Sequence, residues 1–256
     1  MPPLRCVPGV ASYPSTDRAS VPGKRWISRW QGPCRHHGPA VSLLDVLMPP
    51  ACAGCGRSGA LLCDGCLGRL SPPFRADDCF VAPDAGVVIG DSLTLALAAF
   101  AYAGPMRRTL AALKYTGASR LAPVLARASL PALQTLVAVA GSAVLVPVPV
   151  HIERRRVRGY NQAELIAREL AKGSRLAASP LLRRVRPTTK QHQLDRSSRL
   201  ANLRGAFAVT DGLPVPPIAI LVDDIITTTA TLEVCASVLG AAGVEEVFGF
   251  AVAREV

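Results

Sequence analysis

The 256-residue sequence contains no apolar run that is both long enough and clean enough to cross a bilayer. The stretch from Leu130 to Val150 is interrupted by polar residues and prolines, namely Gln134, Ser142, Pro147 and Pro149. The N-terminal region also lacks the continuous apolar segment of a secretory signal. We therefore expect a cytoplasmic protein without membrane insertion.

Aromatic residues are scarce as well, at 5%, although 50% of the residues are hydrophobic. This alanine-, valine- and leucine-rich composition is typical of a folded protein and excludes a chain that is disordered throughout. A chain of this length can bury one ample core with a small accessory module. Residues 1–40 differ, because they are rich in Pro, Ser, Gly and Arg without periodicity, and we predict a disordered tail there.

Acidic residues are few, 18 against 29 basic ones, and the net charge of +11 is unevenly distributed. Residues 151–205 hold 14 basic and 4 acidic residues, a net of +10, and residues 1–40 contribute a further +5. A segment of such charge density suits a polyanion such as pyrophosphate, a nucleotide or nucleic acid. A solvated basic face is the alternative.

Two closely spaced cysteine pairs stand near the start of the predicted folded region. Their residues are Cys52, Cys55, Cys63 and Cys66. Two C-x-x-C knuckles joined by a short turn can place four thiolates around one tetrahedral Zn²⁺. Disulfides are the competing interpretation, but nothing in the sequence indicates an oxidising compartment. We predict a zinc-ribbon module over residues 41–75, with a structural Zn²⁺ because the set has neither a histidine nor an open position.

The main predicted domain, residues 76–256, is organised around an apolar run from Ile218 to Val222. Apolar residues without polar alternation are typical of a strand buried on both faces of a parallel sheet. Asp223 and Asp224 follow directly, and the apolar spacing from Leu232 to Leu239 is that of a helix. The sequence therefore predicts a strand, a polar loop and a helix. The loop lies at the strand's carboxyl end, where open α/β sheets bind ligands.

The residue types of this loop suit a phosphorylated sugar. Backbone amides and hydroxyls at a helix start can surround a phosphate. The residues concerned are Thr227, Thr228, Thr229, Ala230 and Thr231. The carboxylates of Asp223 and Asp224 can accept hydrogen bonds from sugar hydroxyls or hold a hydrated Mg²⁺. A phosphate receptor beside a diol receptor predicts a ribose 5-phosphate site, and an ordinary strand-to-helix turn is the alternative.

A second buried strand is predicted from Val144 to Val150, ending in prolines that prevent further ladder pairing. His151 and four arginines come next, and we predict that they form a loop at this strand's carboxyl end. The arginines are Arg154, Arg155, Arg156 and Arg158. Guanidinium groups hold pyrophosphate well because their paired N–H donors match its oxygens. Asn161 is predicted to cap the following helix, with Glu164 reaching back to it.

Two other segments stand out by their residue types. Lys114-Tyr-x-Gly117 stands at the end of a helix that begins at Pro105. The polar stretch after Pro187, with Lys190 and His192, has little to bury, and we predict a lid that orders over a ligand. A plain surface loop is the alternative there.

The acidic pair and the threonines resemble the phosphoribosyl pyrophosphate (PRPP) signature of the type I phosphoribosyltransferases, in which an apolar strand precedes Asp-Asp-x-x-Thr-Thr-Gly-x-Thr. Thr229 stands where that signature has glycine. A side chain there crowds the phosphate if the backbone requires a positive φ. We therefore expect that replacing Thr229 with glycine tightens ligand binding.

Four segments in chain order resemble the competence protein F (ComF) family. They are the cysteine knuckles, Leu113 to Gly117, Val146 to Gln162, and Thr188 to Phe207 before the PRPP loop. The resemblance implies an α/β fold like that of the type I phosphoribosyltransferases. This fold has a mostly parallel sheet flanked by helices, here with a small N-terminal zinc ribbon. It also implies a link to natural DNA uptake, with a nucleic acid or a DNA-uptake helicase as partner.

The same resemblance implies Mg²⁺-dependent binding of PRPP and transfer of its phosphoribosyl group to an acceptor, with release of pyrophosphate. The implied catalytic residues are Asp223, Asp224 and Arg155. The implied pyrophosphate-binding residues are Val148, Pro149, Val150, His151, Arg155, Arg158 and Lys190. A non-catalytic PRPP- or nucleotide-binding accessory protein in DNA uptake or handling is the alternative. A nucleic-acid-binding zinc protein is a third interpretation.

Overall fold

The computed structural model describes residues 49–71, 87–88, 90–115, 118–186, 203 and 205–255. The predicted tail, the predicted lid and its residue Lys190 lie outside the described residues.

Most of the described strands belong to one sheet, with a separate two-stranded hairpin beside it. In chain order they are β1 (Val87–Val88), β2 (Leu95–Ala101), β3 (Val144–Pro147), β4 (Ala177–Ala178), β5 (Leu182–Arg184), β6 (Phe207–Val209), β7 (Ile218–Ile226) and β8 (Glu246–Arg254). The larger sheet has the order β1-β2-β8-β7-β3-β4, and β5 pairs with β6. Among the described strands of this sheet, only the edge strand β1 is antiparallel to its neighbour, and the other five are parallel.

Helices cover both faces of this sheet. The described helices are α1 (Asp64–Leu67), α2 (Gly104–Tyr115), α3 (Leu121–Ala140), α4 (Ile152–Arg158), α5 (Gln162–Ser174) and α6 (Ala230–Ala241). Apolar residues of α2, α3 and α5 form one core layer, and α6 with the β5–β6 hairpin forms the other. The predicted α/β fold, a mostly parallel sheet between helices, is confirmed.

Strand β7 is central because both of its faces are buried, as the unbroken apolar run predicts. Ile220 and Val222 lie in the core layer with α3 and α5, whereas Ala219 and Leu221 lie in the layer with α6. Burial on both faces removes the need for polar alternation. The run therefore brings the residues after Val222 to the carboxyl edge of the sheet.

Helix α3 is long and contains a proline. Pro131 lies inside the helix, which continues to Ala140. Among the described residues, α3 is also the one helix long and apolar enough to cross a membrane, although the sequence analysis found no such span. Its residues Leu125, Leu133 and Leu136 are buried in the core layer beside the sheet. This packing holds the helix together across the proline.

Candidate functional site

The acidic pair lies within β7, not in a loop after it. The sequence analysis ended the strand at Val222, but β7 continues to Ile226. The reason is its neighbour β8, which pairs with β7 as far as Ile226 opposite Arg254, whereas pairing with β3 ends at Val222 opposite Pro147. Asp223 and Asp224 therefore lie on a strand that is still paired with β8 but no longer with β3. The edge of β7 that faced β3 is thus accessible to a ligand at these two residues.

The two carboxyl groups differ in their surroundings. The backbone amide of Asp224 donates to Oδ1 of Asp223 at 2.8 Å. Burial raises the pKa of Asp223 well above its usual range, the Asp224 carboxylate raises it further, and Lys114 opposes both. An isolated buried carboxylate is costly, so Asp223 favours partners that donate hydrogen bonds. Sugar hydroxyls are partners of that kind.

Lys114 is a site residue to which the sequence analysis gave no role. Its Nζ lies 2.6 Å from Oδ2 of Asp224, and both side chains are largely shielded from solvent, with 22% and 12% exposed. The sequence signal for Lys114 is the Lys114-Tyr-x-Gly117 segment at the end of a helix, which by itself indicates no partner. The pairing with Asp224 depends on how α2 packs beside β7, which local sequence does not specify.

The threonine turn connects β7 to α6. Thr227 is exposed, Thr228 is half-buried and Thr229 is buried, with 6% of its surface exposed. Thr229 is the residue preceding α6, with φ −69° and ψ −4°, and its side chain makes no capping hydrogen bond. Ala230 and Thr231 form the first turn of the helix. Their backbone amides lie where a helix start binds phosphate.

The segment after β3 lies directly beside this edge. The Val148 amide donates to the Val222 carbonyl at 2.9 Å, which attaches the segment from Val148 to His151 to the end of β7. Asn161 holds it from the other side, since its Nδ2 donates to the Val148 carbonyl at 2.9 Å. Oδ1 of Asn161 also accepts from the Ala163 amide at 3.1 Å, so the predicted cap of α5 is present.

The arginine-rich stretch is a short helix, α4, where a loop was predicted. His151 begins it, accepting a hydrogen bond from the Glu153 amide at Nδ1, and Gly159 ends it with φ 80°. A side-chain cap and a left-handed glycine are the ordinary start and stop of a helix. Residues 152–157 are exposed and Arg158 is half-buried, so α4 presents its guanidinium groups to solvent.

Two of these arginines have partners close to the site. Arg155 lies 3.5 Å from Glu164, which also pairs with Arg168 at 2.7 Å. Glu164 therefore anchors arginines instead of reaching back to Asn161 as predicted. Arg158 lies over the ring of Tyr115, 5.5 Å from its centroid. The structure thus joins the end of α2 to α4.

The four predicted zinc ligands come together. Their sulfur atoms all lie within 4.8 Å of one another, and the Sγ atoms of Cys55 and Cys63 are 3.7 Å apart. With Zn–S bonds of about 2.3 Å, the sulfurs of a tetrahedral site lie roughly 3.8 Å apart. An all-thiol donor set in this geometry fits a structural Zn²⁺ held by Cys52, Cys55, Cys63 and Cys66.

Neighbouring donors favour thiolates in this cluster. Burial opposes ionisation of Cys52, but hydrogen bonds from backbone amides, including that of Cys63, lower its pKa to about 6. Burial raises the pKa of Cys66, whose sulfur accepts a hydrogen bond from the Arg69 guanidinium at 3.3 Å. Donors of this type orient metal-bound sulfurs and compensate their charge.

The cysteine module is attached to α2, the helix that carries Lys114. Nε of Arg108 donates to the Gly54 carbonyl at 2.5 Å. A Cβ atom at Gly54 would lie 2.7 Å from the Cys66 sulfur and 3.2 Å from Pro105. Glycine is therefore required where the first knuckle, the second knuckle and α2 meet.

Comparison with known proteins supports the resemblance seen in the motifs. A scan against protein-family models found no match. The chain is 30% identical to DNA utilization protein YhgH of Salmonella typhimurium over 240 residues, which cover 88% of this chain and 96% of that protein. The chain belongs to the ComF family. This ComF-family chain is also 28% identical to DNA utilization protein YhgH of Escherichia coli K12 over 241 residues.

A shorter match concerns a competence protein. Over 114 residues, the ComF-family chain is 35% identical to competence protein F of Haemophilus influenzae. The match covers 43% of this chain and 49% of that protein, about half of its length. The family assignment therefore depends on the longer matches together with this one.

Proposed function

We propose that the protein binds PRPP with Mg²⁺ at the carboxyl edge of the sheet and transfers its phosphoribosyl group to an acceptor, releasing pyrophosphate. One observation carries the proposal. The Val148 amide donates a hydrogen bond to Val222, the residue just before the acidic pair, so the segment after β3 adjoins that pair, and the threonine turn follows the same strand. A receptor for a sugar phosphate thus lies beside a segment suited to a diphosphate.

The sugar-phosphate end of the site is formed by the turn into α6. Backbone amides and hydroxyls from Thr227 to Thr231 hold the 5-phosphate, since a helix start presents unpaired N–H groups and a partial positive charge. Asp223 and Asp224 accept hydrogen bonds from the ribose hydroxyls. Such bonds satisfy the half-buried carboxyl of Asp223.

The diphosphate end is formed by the segment after β3. Residues 148–151 surround the pyrophosphate, and Arg155 and Arg158 of α4 direct positive charge toward it. Lys190, which lies outside the described residues, remains a proposed contributor. Mg²⁺, when bound, supplies further charge neutralisation to the departing pyrophosphate.

The chemistry is a displacement at C1 of the ribose. The bond from C1 to the pyrophosphate oxygen breaks, its electron pair leaves with pyrophosphate, and the acceptor's lone pair forms the new bond to C1. Positive charge develops on the sugar during this exchange. The aspartates stabilise that charge, and the arginines stabilise the leaving group.

Calorimetry with PRPP and Mg²⁺ tests the binding step. We expect saturable binding to the wild type and at least a tenfold loss in Asp224→Asn, about 1.4 kcal/mol or more. The matched control is Asp211→Asn, an exposed aspartate that pairs with Arg183 near β6. Absence of binding by the wild type would eliminate the proposal. Release of pyrophosphate in the presence of a base or amine acceptor tests the transfer step.

A non-catalytic role in DNA handling is the second candidate. It is supported by the names of the relatives, a competence protein and DNA utilization proteins. It is also supported by the exposed arginines of α4, which suit a nucleic acid. PRPP binding without pyrophosphate release would favour this accessory role. DNA affinity with a steep salt dependence that Asp223→Asn leaves unchanged would instead favour direct nucleic-acid binding.

A further inference from the structure

The ion pair between Lys114 and Asp224 places a cation of the protein itself inside the proposed site. The two groups are 2.6 Å apart and mostly shielded from solvent. An ion pair in such a setting is screened less than one on the surface. Lys114 therefore acts on the charge of the acidic pair and is not an incidental surface contact.

The position of Lys114 is held on either side along α2. The preceding residue, Leu113, is buried, and its carbonyl accepts a hydrogen bond from the Tyr160 hydroxyl at 2.6 Å. The following residue, Tyr115, lies under the Arg158 guanidinium. The last turn of α2 is thus attached to the region where α4 meets α5, and Lys114 extends from this turn to β7.

The proposed ligand creates an electrostatic difficulty that Lys114 removes. PRPP carries a phosphate and a diphosphate, and adjacent carboxylates such as Asp223 and Asp224 repel it. A positive charge in contact with Oδ2 of Asp224 reduces that repulsion, while each carboxylate keeps its second oxygen as a hydrogen-bond acceptor.

We propose that Lys114 is a positioning residue of this site, the internal counter-ion that orients Asp224 and makes the acidic pair compatible with a polyanionic sugar. This inference deepens the proposed function and rests on it for the identity of the sugar. The role of Lys114 toward the carboxylates can be measured without that sugar.

The first experiment uses Mn²⁺ alone as a probe of the uncompensated carboxylates, in the full-length, zinc-loaded protein. Removal of the ammonium in Lys114→Met leaves the pair free to attract a cation. We expect Mn²⁺ to bind about tenfold more tightly than to the wild type, measured by electron paramagnetic resonance. Adding Asp224→Asn to this variant abolishes the gain. Lys114→Arg keeps the charge and behaves like the wild type.

The second experiment compares ligands of different charge. Lys114→Met is expected to weaken PRPP binding about tenfold or more and ribose 5-phosphate binding less, since the repulsion grows with ligand charge. A residue needed only for packing would affect both ligands equally. The matched control is Lys172→Met on α5, where the lysine pairs with Glu169 away from the site.

The outcomes separate this inference from the proposed function. If Mn²⁺ binds Lys114→Met no more tightly than the wild type, Lys114 is not the counter-ion and the inference is wrong. If Mn²⁺ binding tightens but the wild type binds no PRPP, the counter-ion role stands and the proposed function fails. Should Lys114→Met not fold, a gain in Mn²⁺ affinity in Lys114→Arg would overturn the inference by itself.

Discussion

Asp223 combines a proposed role in ligand binding with a cost in stability. Its carboxyl is half-buried and lies next to a second carboxylate, and both effects raise its pKa in the folded protein well above the ordinary value of 3.8. The folded state therefore loses stability as the pH rises above that value, because Asp223 must ionise in an unfavourable environment. Such residues are characteristic of binding sites.

We predict that Asp223→Asn stabilises the protein at neutral pH while weakening ligand binding. Asparagine can still accept the hydrogen bond from the Asp224 amide, but it carries no charge. Thermal unfolding should show a higher midpoint than in the wild type at pH 7, with the difference shrinking toward pH 4. Asp211→Asn, at an exposed carboxylate, should show no such dependence. A destabilised Asp223→Asn at pH 7 would contradict the cost assigned to this carboxyl.

Thr229 is the position at which this chain departs from the PRPP signature, which has glycine there. The concern that a side chain is strained there applies only to a positive φ. Thr229 has φ −69°, an ordinary helical value, and is buried. The threonine is thus accommodated without backbone strain.

We predict that Thr229→Gly does not tighten PRPP binding, which replaces the expectation drawn from sequence. The substitution removes a buried side chain and adds freedom to the turn, so we expect the thermal midpoint to fall by about 2–4 °C, for a loss near 1 kcal/mol. Calorimetry should give an affinity equal to or weaker than that of the wild type. A clear gain in affinity would mean that the ligand-bound turn adopts a different backbone conformation.

At the scale of elements, the junction between β3 and α5 holds together both ends of the site. Asn161 makes two hydrogen bonds there, one that caps α5 and one that holds the Val148 carbonyl. The cap contributes to stability, whereas the contact with Val148 positions the proposed diphosphate segment. These two roles can be separated by substitution.

We predict that Asn161→Ser and Asn161→Ala weaken PRPP binding to a similar extent but differ in stability. Serine caps helices about as well as asparagine yet is too short to hold the Val148 carbonyl. Alanine loses both contacts and should cost about 1 kcal/mol more than serine in the free energy of unfolding. Denaturant titration and calorimetry measure the two effects. Equal stability of the variants would show that the cap contributes nothing.

For the whole molecule, α2 connects the cysteine module with the sheet edge. Its first turns contact Gly54 through Pro105 and Arg108, and its last turn carries Lys114 to Asp224. A helix of 12 residues is a rigid connection of about 18 Å. A structural shift in the cysteine module should therefore move α2 and alter the position of Lys114 at the sheet edge.

We predict that Gly54→Ala lowers both zinc affinity and PRPP affinity. The new Cβ would lie 2.7 Å from the Cys66 sulfur, so one knuckle must shift, at a cost of about 1–3 kcal/mol. Gly65→Ala is the matched control, since a Cβ there meets no atom within 4 Å. Chelator competition measures zinc and calorimetry measures PRPP. Loss of zinc with unchanged PRPP affinity would show that α2 does not couple the two.

Local sequence predicted most of the fold and much of the site. The apolar run of β7, the threonine turn, the Asn161 cap and the cysteine knuckles each depend on residues a few positions apart. The extension of β7 past Val222 and the helical form of the arginine segment were not predicted. For β7 the deciding partner is β8, a strand that is distant in the sequence.

The sequence by itself determined which chemical groups the protein carries and the order of its strands and helices, because steric and hydrogen-bonding patterns over a few residues specify strands, caps and metal knuckles. Only the tertiary structure decided that Lys114 meets Asp224, that Val148 adjoins Val222, and that Thr229 adopts a helical φ. Those features follow from how helices pack on the parallel sheet. Burial of apolar side chains between the helices and the sheet stabilises the fold. The same packing brings side chains that are distant in the sequence to the carboxyl edge of the sheet.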